Sequence, residues 1–245
     1  MKVLIVIPAR MASERFPNKP MALLNNKPMI LHVWERAKES KIGRVLVACC
    51  EKEVADCIRS AGGEAILTNP NLPSGTDRVY AAIEDNEEFL MSDSIINLQG
   101  DMPLIDSHSI NQIKKIIIQG YDMSTIVTSF SSDQEIKNVN ITKANVNWIK
   151  KNNIGEAIDF FKLPNEQIPK NIYHHVGIYG FAPSSLKKFV NLPQSEREKK
   201  LKLEQMRALD NNMTIGVGYV KNVPISVDTR EDLMHVESLI KKKYE

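Results

Sequence analysis

The chain begins with the stretch Lys2-Val3-Leu4-Ile5-Val6-Ile7-Pro8-Ala9-Arg10, an apolar run that ends at a proline and a cation. The run is β-branched and apolar on both faces, which predicts a buried strand of a parallel sheet. Three prolines lie within residues 8–20. They exclude a regular helix there, because each removes an amide donor and biases the preceding residue toward extended backbone. The stretch therefore predicts a strand over residues 2–7 that leads into an irregular loop.

The loop carries three cations, Arg10, Arg15 and Lys19. They leave the carboxyl end of the predicted strand, the edge at which open α/β sheets bind ligands. Guanidinium and ammonium groups there indicate a polyanion such as a nucleoside triphosphate; the alternative is a solvated basic loop. The loop has neither the P-loop pattern nor the dinucleotide-binding glycines, which disfavours kinases, P-loop NTPases and dinucleotide-dependent oxidoreductases.

Composition narrows the class of protein. The 245 residues suffice for one large domain or a domain with a subdomain, and 42% hydrophobic residues can form a sizeable core. A net charge of +2 without a basic stripe gives no sign of a nucleic-acid partner. We find no signal peptide and no apolar stretch long enough to span a membrane, and three cysteines do not form a disulfide framework. We therefore expect a cytoplasmic protein.

The order of predicted elements indicates an α/β fold. In the first half, strands over residues 2–7, 44–48, 65–67 and 94–98 alternate with helices over residues 29–40, 51–60, 77–85 and 107–119. Such alternation predicts a parallel sheet with helices on both faces. Antiparallel strands are then expected over residues 124–130, 143–148 and 156–161. The last part predicts strands over residues 176–181 and 214–220, and helices over residues 184–190, 201–209 and 230–243.

Two carboxylates are candidate metal ligands. Asp101 follows a buried strand and Gly100, which permits a tight turn or a close ligand approach. A carboxylate beside a triphosphate usually acts through Mg²⁺, since the two anions would otherwise repel. Asp228 precedes the last helix; taken alone it is an N-cap with Glu231 completing a capping box, but beside Asp101 it becomes a second candidate ligand. Asp101 could likewise cap the turn that follows it.

Further polar residues form two groups. Residues 74–78 precede the predicted third helix, where Ser74, Thr76 and the backbone amides hold an anionic or polar group or form an ordinary cap. His175 and Tyr179 are expected on the same face of a strand. Helical residues 204 and 205 are hydroxyl-binding candidates, or plain solvated residues.

Taken together, these motifs closely resemble the bacterial 3-deoxy-manno-octulosonate (KDO) cytidylyltransferase family. The matching segments occur in family order from end to end: residues 7–10, 15–20, 27–30, 74–78, 98–101, 175–180, 203–207 and 227–229. The resemblance implies a nucleotidyltransferase that transfers CMP from CTP to the anomeric hydroxyl of KDO, releases pyrophosphate and so activates KDO for lipopolysaccharide biosynthesis. It also implies Mg²⁺ as cofactor and a homodimer.

The same resemblance assigns roles to residues. It implies catalytic roles for Arg10, Lys19, Asp101 and Asp228. It implies Mg²⁺ binding by Asp101 and Asp228. It implies a nucleotide site of Ala9, Arg10, Lys19, Ser74, Gly75, Gln99 and Asp101. It implies a sugar site of Arg15, Gln99, His175, Tyr179, Glu204 and Gln205.

The implied fold is a mostly parallel, Rossmann-like nucleotidyltransferase sheet with helices on both faces and a small antiparallel β subdomain. We expect one domain over residues 1–245. Its nucleotide-binding core is expected at about 1–120 and 175–245, with a β-rich insertion or dimerisation subdomain at about 121–174.

Four positions depart from the family pattern: Cys50, Met102, Lys162 and residues 224–226. Lys162 stands where the family commonly has an arginine, so it lacks a bidentate grip on a carboxylate. The alternatives are therefore a cytidylyltransferase for another acid sugar, such as 8-amino-KDO or a sialic-acid-like sugar, and an inactive nucleotide-binding homologue.

Overall fold

The structure is a computed structural model, and it describes residues 2–12, 15–149, 154–162, 169–222 and 224–244. Residues 13 and 14 of the first loop, and residues 150–153 and 163–168 of the predicted insertion, lie outside the described residues. The strands are β1 (Val3–Ala9), β2 (Leu23–Leu24), β3 (Lys27–Pro28), β4 (Arg44–Cys49), β5 (Glu64–Leu67), β6 (Ser94–Asn97), β7 (Met123–Thr128), β8 (Lys143–Ile149), β9 (Ile154–Phe161), β10 (Ile172–Phe181) and β11 (Ile215–Tyr219).

The helices are α1 (Met29–Glu39), α2 (Lys52–Ser60), α3 (Gly75–Ala81), α4 (Glu87–Leu90), α5 (Ser107–Ile117), α6 (Asp133–Lys137), α7 (Pro183–Asn191), α8 (Glu196–Leu201), α9 (Gln205–Asp210) and α10 (Arg230–Tyr244). A single 3₁₀ turn, Lys19–Met21, interrupts the described part of the proline-rich loop. Among the described helices, none combines the length and the hydropathy that crossing a lipid bilayer requires.

The first of two compact units comprises residues 1–111 and 224–245. Its strands form a parallel sheet in the order β5-β4-β1-β6, with every residue of β1 buried. Helices α1, α2 and α3 pack against these strands. In the register of β1 against β6, Val6 lies opposite Asn97. The carboxyl ends of these two strands therefore finish side by side, which brings the loops after β1 and β6 to one edge of the sheet.

The second unit comprises residues 112–223. Strand β7 pairs parallel with β11, whereas the other pairings, β10 with β7 and β8, β9 with β11, and β8 with β9, are antiparallel. Each of the five strands thus pairs with two others, and the pairing closes on itself. Closure removes unpaired edges. The mixed α/β class is therefore confirmed, but the strands of this unit are mainly antiparallel.

Most of the predicted elements are present, but the prediction of one helix over residues 201–209 is wrong. Lys202 ends α8 in left-handed backbone with φ of 54°, and α9 begins only at Gln205. The earlier helix has its own start signal, a capping box between Ser195 and Glu198. The predicted helix over residues 77–85 is also displaced, because Ser74 caps α3 and the helix ends at Ala81.

A small apolar cluster in the first unit anchors the loop after β1. Phe16 is buried in it together with Leu24, Met29, Val227, Val236 and Ile240. Fully burying a side chain of this size contributes about 1.5–3 kcal/mol. Phe16 and Val227 are the chain neighbours of Arg15 and Asp228, so burial of this cluster also fixes the two charged residues in place.

Candidate active site

Four charged residues of the first unit meet at the edge of its sheet. Lys19 Nζ lies 2.7 Å from Asp101 Oδ2 and 3.4 Å from Asp228 Oδ1. Arg15 Nη2 lies 3.0 Å from the same Asp228 oxygen. The structure therefore brings together two of the predicted phosphate or sugar cations and both predicted metal ligands, although they are up to 213 residues apart in sequence, from Arg15 to Asp228.

Backbone contacts explain why the two acidic segments meet. The amide of Val227 donates a hydrogen bond of 2.9 Å to the carbonyl of Asp101, which ties the segment before α10 to the turn after β6. A Cβ at Gly100 would lie only 2.9 Å from the carbonyl oxygen of Pro8. This close approach requires glycine at position 100 and sets Asp101 beside the end of β1.

Asp228 does not cap the last helix. The residues that cap α10 are Thr229 and Asp232: the amide of Asp232 donates to Thr229 Oγ1 at 3.2 Å, and the amide of Thr229 donates to Asp232 Oδ2 at 2.8 Å. The alternative of a capping box between Asp228 and Glu231 is therefore wrong, because a reciprocal pair one residue later fills that role. The Asp228 carboxylate instead forms ion pairs with Arg15 and Lys19.

The electrostatics keep Lys19 charged. Burial alone would lower the pKa of its ammonium, but the carboxylates of Asp101 and Asp228 outweigh burial, and the pKa of Lys19 is raised. The Lys19 side chain is 15% exposed and that of Asp101 22%. A permanent cation of this kind, partly sheltered from water, binds phosphate oxygens more strongly than an exposed lysine does.

The chemistry of the two carboxylates fits Mg²⁺. One cationic nitrogen already contacts oxygens of both Asp101 and Asp228, so a single cation can touch both side chains. Mg²⁺ is usually bound by one or two carboxylates together with substrate phosphates and waters, and not by an all-protein cage. Among the described residues, no group of three or more His, Cys, Asp or Glu side chains could hold a metal ion.

A second polar group of the same unit surrounds Gln99. Gln99 Nε2 donates 2.9 Å to Asn97 Oδ1, and Asn97 Nδ2 lies 2.9 Å from Thr76 Oγ1. Both Asn97 and Thr76 are fully buried. A Cβ at Gly75 would lie 3.3 Å from Gln99 Oε1, so Gly75 lies against the Gln99 amide. The hydroxyl of Ser74 accepts from the amide of Asp77 at 3.2 Å, so Ser74 also caps α3.

Two further predicted site residues lie at the carboxyl end of β1. Ala9 is its last residue and is buried, whereas Arg10, the next residue, is exposed. Across the residues that the structure describes, Arg10 forms no ion pair, unlike Arg15. An exposed guanidinium directly after the central strand is positioned to meet an anion from solvent.

The predicted sugar residues of the second unit also meet. The rings of His175 and Tyr179 stack with centroids 5.8 Å apart, and the hydroxyl of Tyr179 donates to Gln205 Oε1 at 3.0 Å. Burial raises the pKa of Tyr179, with a further contribution from the charge of Glu204, so the phenol stays protonated. Burial, and then the charges of His174 and Lys162, lower the pKa of His175 to about 3, so its imidazole is neutral.

Gln205 owes its position to a buried ion pair. Arg207 Nη2 donates to Glu198 Oε1 at 2.7 Å, and the two side chains are 1% and 4% exposed. Arg207 Nε donates to the other Glu198 oxygen at 2.9 Å, and its guanidinium lies 4.6 Å from the ring centre of Phe189. This bidentate pair joins α8 to α9 and thereby orients the helix that begins at Gln205.

Two departures from the family pattern have clear local surroundings. Met102 is buried, at 4% exposure, and so occupies apolar space in the first unit. Lys162 Nζ lies 3.1 Å from Thr142 Oγ1, and its charge acts on the nearby His175. Lys162 is therefore a cation close to the histidine of the predicted sugar site.

Comparisons with known proteins decide the family. The family model described as "Cytidylyltransferase" matches residues 4–215. The chain is 40% identical over 242 residues to the 3-deoxy-manno-octulosonate cytidylyltransferase of Paramagnetospirillum magneticum, with 97% of each chain covered. This chain belongs to the 3-deoxy-manno-octulosonate cytidylyltransferase family. The counterpart from Parvibaculum lavamentivorans is 42% identical over 241 residues, which covers 98% of this chain and 93% of that protein.

A solved structure gives the same assignment. The structure of CMP:2-keto-3-deoxy-manno-octonic acid synthetase complexed with CTP superposes with a TM-score of 0.87 at 30% sequence identity. The match covers 99% of this chain and 100% of that one. The likeness to this synthetase therefore extends over nearly the full length of the chain.

Sequence reasoning missed four buried residues that support these groups, namely Asn97, Thr125, Glu198 and Arg207. Thr125 and Asn97 lie within strands that read as ordinary core, and no motif marks them. The signal available in sequence was a polar residue inside an otherwise apolar strand, which predicts a satisfied hydrogen bond but not its partner.

Proposed function

We propose that this protein transfers the CMP group of CTP to the anomeric hydroxyl of KDO, giving CMP-KDO and pyrophosphate. The observation that carries the proposal is the meeting of Arg15, Lys19, Asp101 and Asp228 in a chain of this family. Phosphoryl transfer depends mainly on positioning and on neutralising phosphate charge. This group supplies cations for phosphates and carboxylates for a metal ion.

The residues then divide the substrates among them, with Gln99 facing both the nucleotide and the sugar. Lys19 and the exposed Arg10 bind the triphosphate through charge-assisted hydrogen bonds. Gln99, held by Asn97, and the amides at Ser74 and Gly75 line the nucleotide next to Ala9. As the family resemblance implies, Arg15 and Gln99 bind the sugar, and so do His175, Tyr179, Glu204 and Gln205.

Mg²⁺ is the proposed cofactor, held by Asp101 and Asp228. When bound there, it would neutralise phosphate charge and lower the pKa of the attacking hydroxyl, so that no dedicated general base is needed. The support is the convergence of both carboxylates on one cationic nitrogen, at 2.7 and 3.4 Å. Lys19 remains an ammonium, because its pKa is raised, and so adds a second positive charge near the phosphates.

The product is the direct test. CTP, MgCl₂ and KDO are incubated with the protein, and the mixture is followed by ³¹P NMR and mass spectrometry. We expect a phosphodiester signal and the mass of CMP-KDO to appear together with one pyrophosphate per product. Pyrophosphate without CMP-KDO, or neither product, would refute the proposal.

One observation favours a second acid sugar as substrate. Lys162 replaces the arginine that the family commonly has, and it lies near His175. An ammonium binds a carboxylate at one point, where a guanidinium binds it at two. An 8-amino-KDO or a sialic-acid-like sugar is therefore the second candidate, and the same assay with those sugars decides between them.

The wider setting is also proposed. The parallel sheet of the first unit is the Rossmann-like, nucleotide-binding part, and the protein acts as a cytoplasmic homodimer that supplies activated KDO for lipopolysaccharide. Exposed apolar residues on β8, β9 and β11, Ile149 at 47%, Ile158 at 56% and Tyr219 at 38%, support self-association through the second unit. Sedimentation velocity tests this, and a monomer at micromolar concentration would refute it.

A further inference from the structure

We propose that Thr125 is a positioning residue of the sugar site: its hydroxyl holds the ring proton of His175 on Nε2, so that Nδ1 accepts a hydrogen bond from a sugar hydroxyl. The proposal rests on the proposed function for the identity of the ligand. The tautomer it assigns to His175 follows from the second unit alone.

An irregular stretch of β10 creates the arrangement. Val176 pairs with Ile126 on β7, but the next pair is Gly180 with Ser124, so two extra residues of β10 bulge out between them. A bulge leaves backbone groups without ladder partners. Thr125 is fully buried, and its hydroxyl lies 3.1 Å from the carbonyl oxygen of Val176 and 2.9 Å from that of Ile178. It therefore provides a hydrogen-bond donor to backbone carbonyls of the bulged strand.

The same hydroxyl fixes the histidine. Thr125 Oγ1 also lies 2.9 Å from His175 Nε2. A hydroxyl has one proton, and carbonyl oxygens can only accept, so the proton of Thr125 is committed to the carbonyls. Thr125 must therefore accept from His175, which places the imidazole proton on Nε2 and a lone pair on Nδ1.

Gln205 supplies a hydrogen-bond donor, where His175 supplies an acceptor. Its Oε1 accepts from Tyr179, and its Nε2 is the donor end of the amide. Gln205 is 1% exposed, and its Nε2 is buried without a hydrogen-bond partner among the described residues. A buried donor left unpaired costs free energy, which points to a ligand that supplies an acceptor there.

Gly177 leaves room for such a ligand. Apart from its chain neighbours, a Cβ at Gly177 would meet only the Tyr179 hydroxyl, at 3.9 Å, among the described atoms within 4 Å. The backbone at Gly177, between the stacked His175 and Tyr179 in sequence, thus borders open space. A sugar hydroxyl can donate to His175 Nδ1 and can accept from a donor such as Gln205 Nε2. A carboxylate has no proton to donate to His175 Nδ1. We assign His175 to a hydroxyl of the sugar and not to its carboxylate.

The tautomer is measured without any sugar. ¹⁵N NMR of protein labelled at histidine reports which ring nitrogen is protonated, and a His175→Gln variant assigns the signal. At pH 7 we expect the Nε2–H form, with the Nδ1 signal moving on addition of KDO. Three results would overturn the proposal: protonation of His175 at Nδ1, a charged imidazolium, or an Nδ1 chemical shift that stays the same when KDO saturates the protein.

Kinetics separate positioning from packing. Thr125→Val keeps the shape and loses the hydroxyl, whereas Thr125→Ser keeps the hydroxyl. We expect Thr125→Val to raise the KM for KDO about 5- to 50-fold, to leave the KM for CTP within about twofold, and to lose the pure Nε2–H signal. Thr125→Ser should restore both. An unchanged KM for KDO in Thr125→Val, or failure of Thr125→Ser to restore it, would contradict the proposal.

Failure of the proposed function can be distinguished from failure of the proposal for Thr125. If the wild-type protein turned over no KDO but showed the Nε2–H tautomer, the proposed function would fail and the assignment of Thr125 would stand. If Thr125→Val did not fold, the wild-type tautomer, the response of Nδ1 to KDO and the Thr125→Ser kinetics would still decide the matter.

Discussion

Lys19 Nζ lies 2.7 Å from Asp101 Oδ2, although the two residues are 82 positions apart. The contact joins the irregular loop after β1 to the turn after β6, because these parallel strands end side by side. It also belongs to the starting state of the site, in which Lys19 and Arg15 together balance the carboxylates of Asp101 and Asp228. On the proposed function, phosphate oxygens and Mg²⁺ would then compete for groups that are already held in place.

Removing either carboxylate should abolish turnover. In Asp101→Asn and Asp228→Asn an amide replaces the anion, which weakens the contact with Lys19 and would weaken the proposed binding of Mg²⁺. We expect kcat with CTP and KDO to fall more than about 100-fold, with the Tm lowered by only a few degrees because both sites are partly exposed. The matched control is Asp56→Asn in an exposed pair on α2. Turnover near the wild-type rate in either variant would remove that carboxylate from the mechanism.

Lys19→Met should weaken the binding of CTP. Charge-assisted hydrogen bonds contribute about 1.5–3 kcal/mol each, so we expect the Kd for CTP or the kcat/KM to worsen about 10- to 150-fold. Isothermal titration calorimetry measures the first and initial rates at low CTP the second. Lys52→Met, which removes an exposed lysine of α2, should change neither. Equal effects of the two variants would mean that the loop is only a solvated basic segment.

Stability should fall as the pH drops below about 6.5. The unfolded chain binds a proton at His175 near its ordinary pKa, but the folded protein resists protonation until its pKa of about 3. The contribution is therefore present above pH 6.5 and lost progressively down to pH 3, and it amounts to about 3 kcal/mol between pH 7 and pH 4. Denaturant unfolding of wild type and His175→Gln measures it.

The difference between those two proteins isolates one histidine from the other titrating groups. His175→Gln should show the shallower decline, whereas His235→Gln, at an exposed position of α10, should follow the wild type. Parallel curves for wild type and His175→Gln would show that His175 titrates normally in the folded protein.

Arg207→Met should destabilise the fold strongly. It leaves the Glu198 carboxylate buried without its partner, and breaking a buried pair in this way costs about 3–5 kcal/mol. Urea unfolding measures the loss. Arg36→Met removes one side of the more exposed Arg36–Glu39 pair, 31% and 52% exposed, and should cost less than about 1 kcal/mol. Similar losses in both variants would contradict the structural role given to the Glu198–Arg207 pair.

Sequence patterns were most informative for local order. The apolar run of β1 and the proline spacing that follows it determine a strand and a non-helical loop, because those constraints act within a few residues. The grouping of Lys19 with Asp101 followed from strand ends at one sheet edge, whereas Asp228 was only a candidate second ligand before the last helix. Their distances depend on contacts such as Val227 to Asp101, which no local pattern contains.

The failures come from competing local signals and from long-range pairing. Residues 201–209 have helical composition throughout, but left-handed backbone at Lys202 divides them. Lysine is not typical of left-handed backbone, so the sequence does not predict this break. The capping box of α10 was placed one residue early because Asp228 and Thr229 are both good caps. Thr125 reveals its role only when the bulge in β10 is known.

The most direct test of the account compares sugars at fixed CTP and MgCl₂. Pyrophosphate release is measured with KDO, 8-amino-KDO and a sialic acid, and kcat/KM is determined for each. The account predicts that KDO gives the highest kcat/KM and that release requires the sugar. A higher value for either other sugar would overturn the assignment of KDO, and absence of release with all three would contradict the assignment as a cytidylyltransferase.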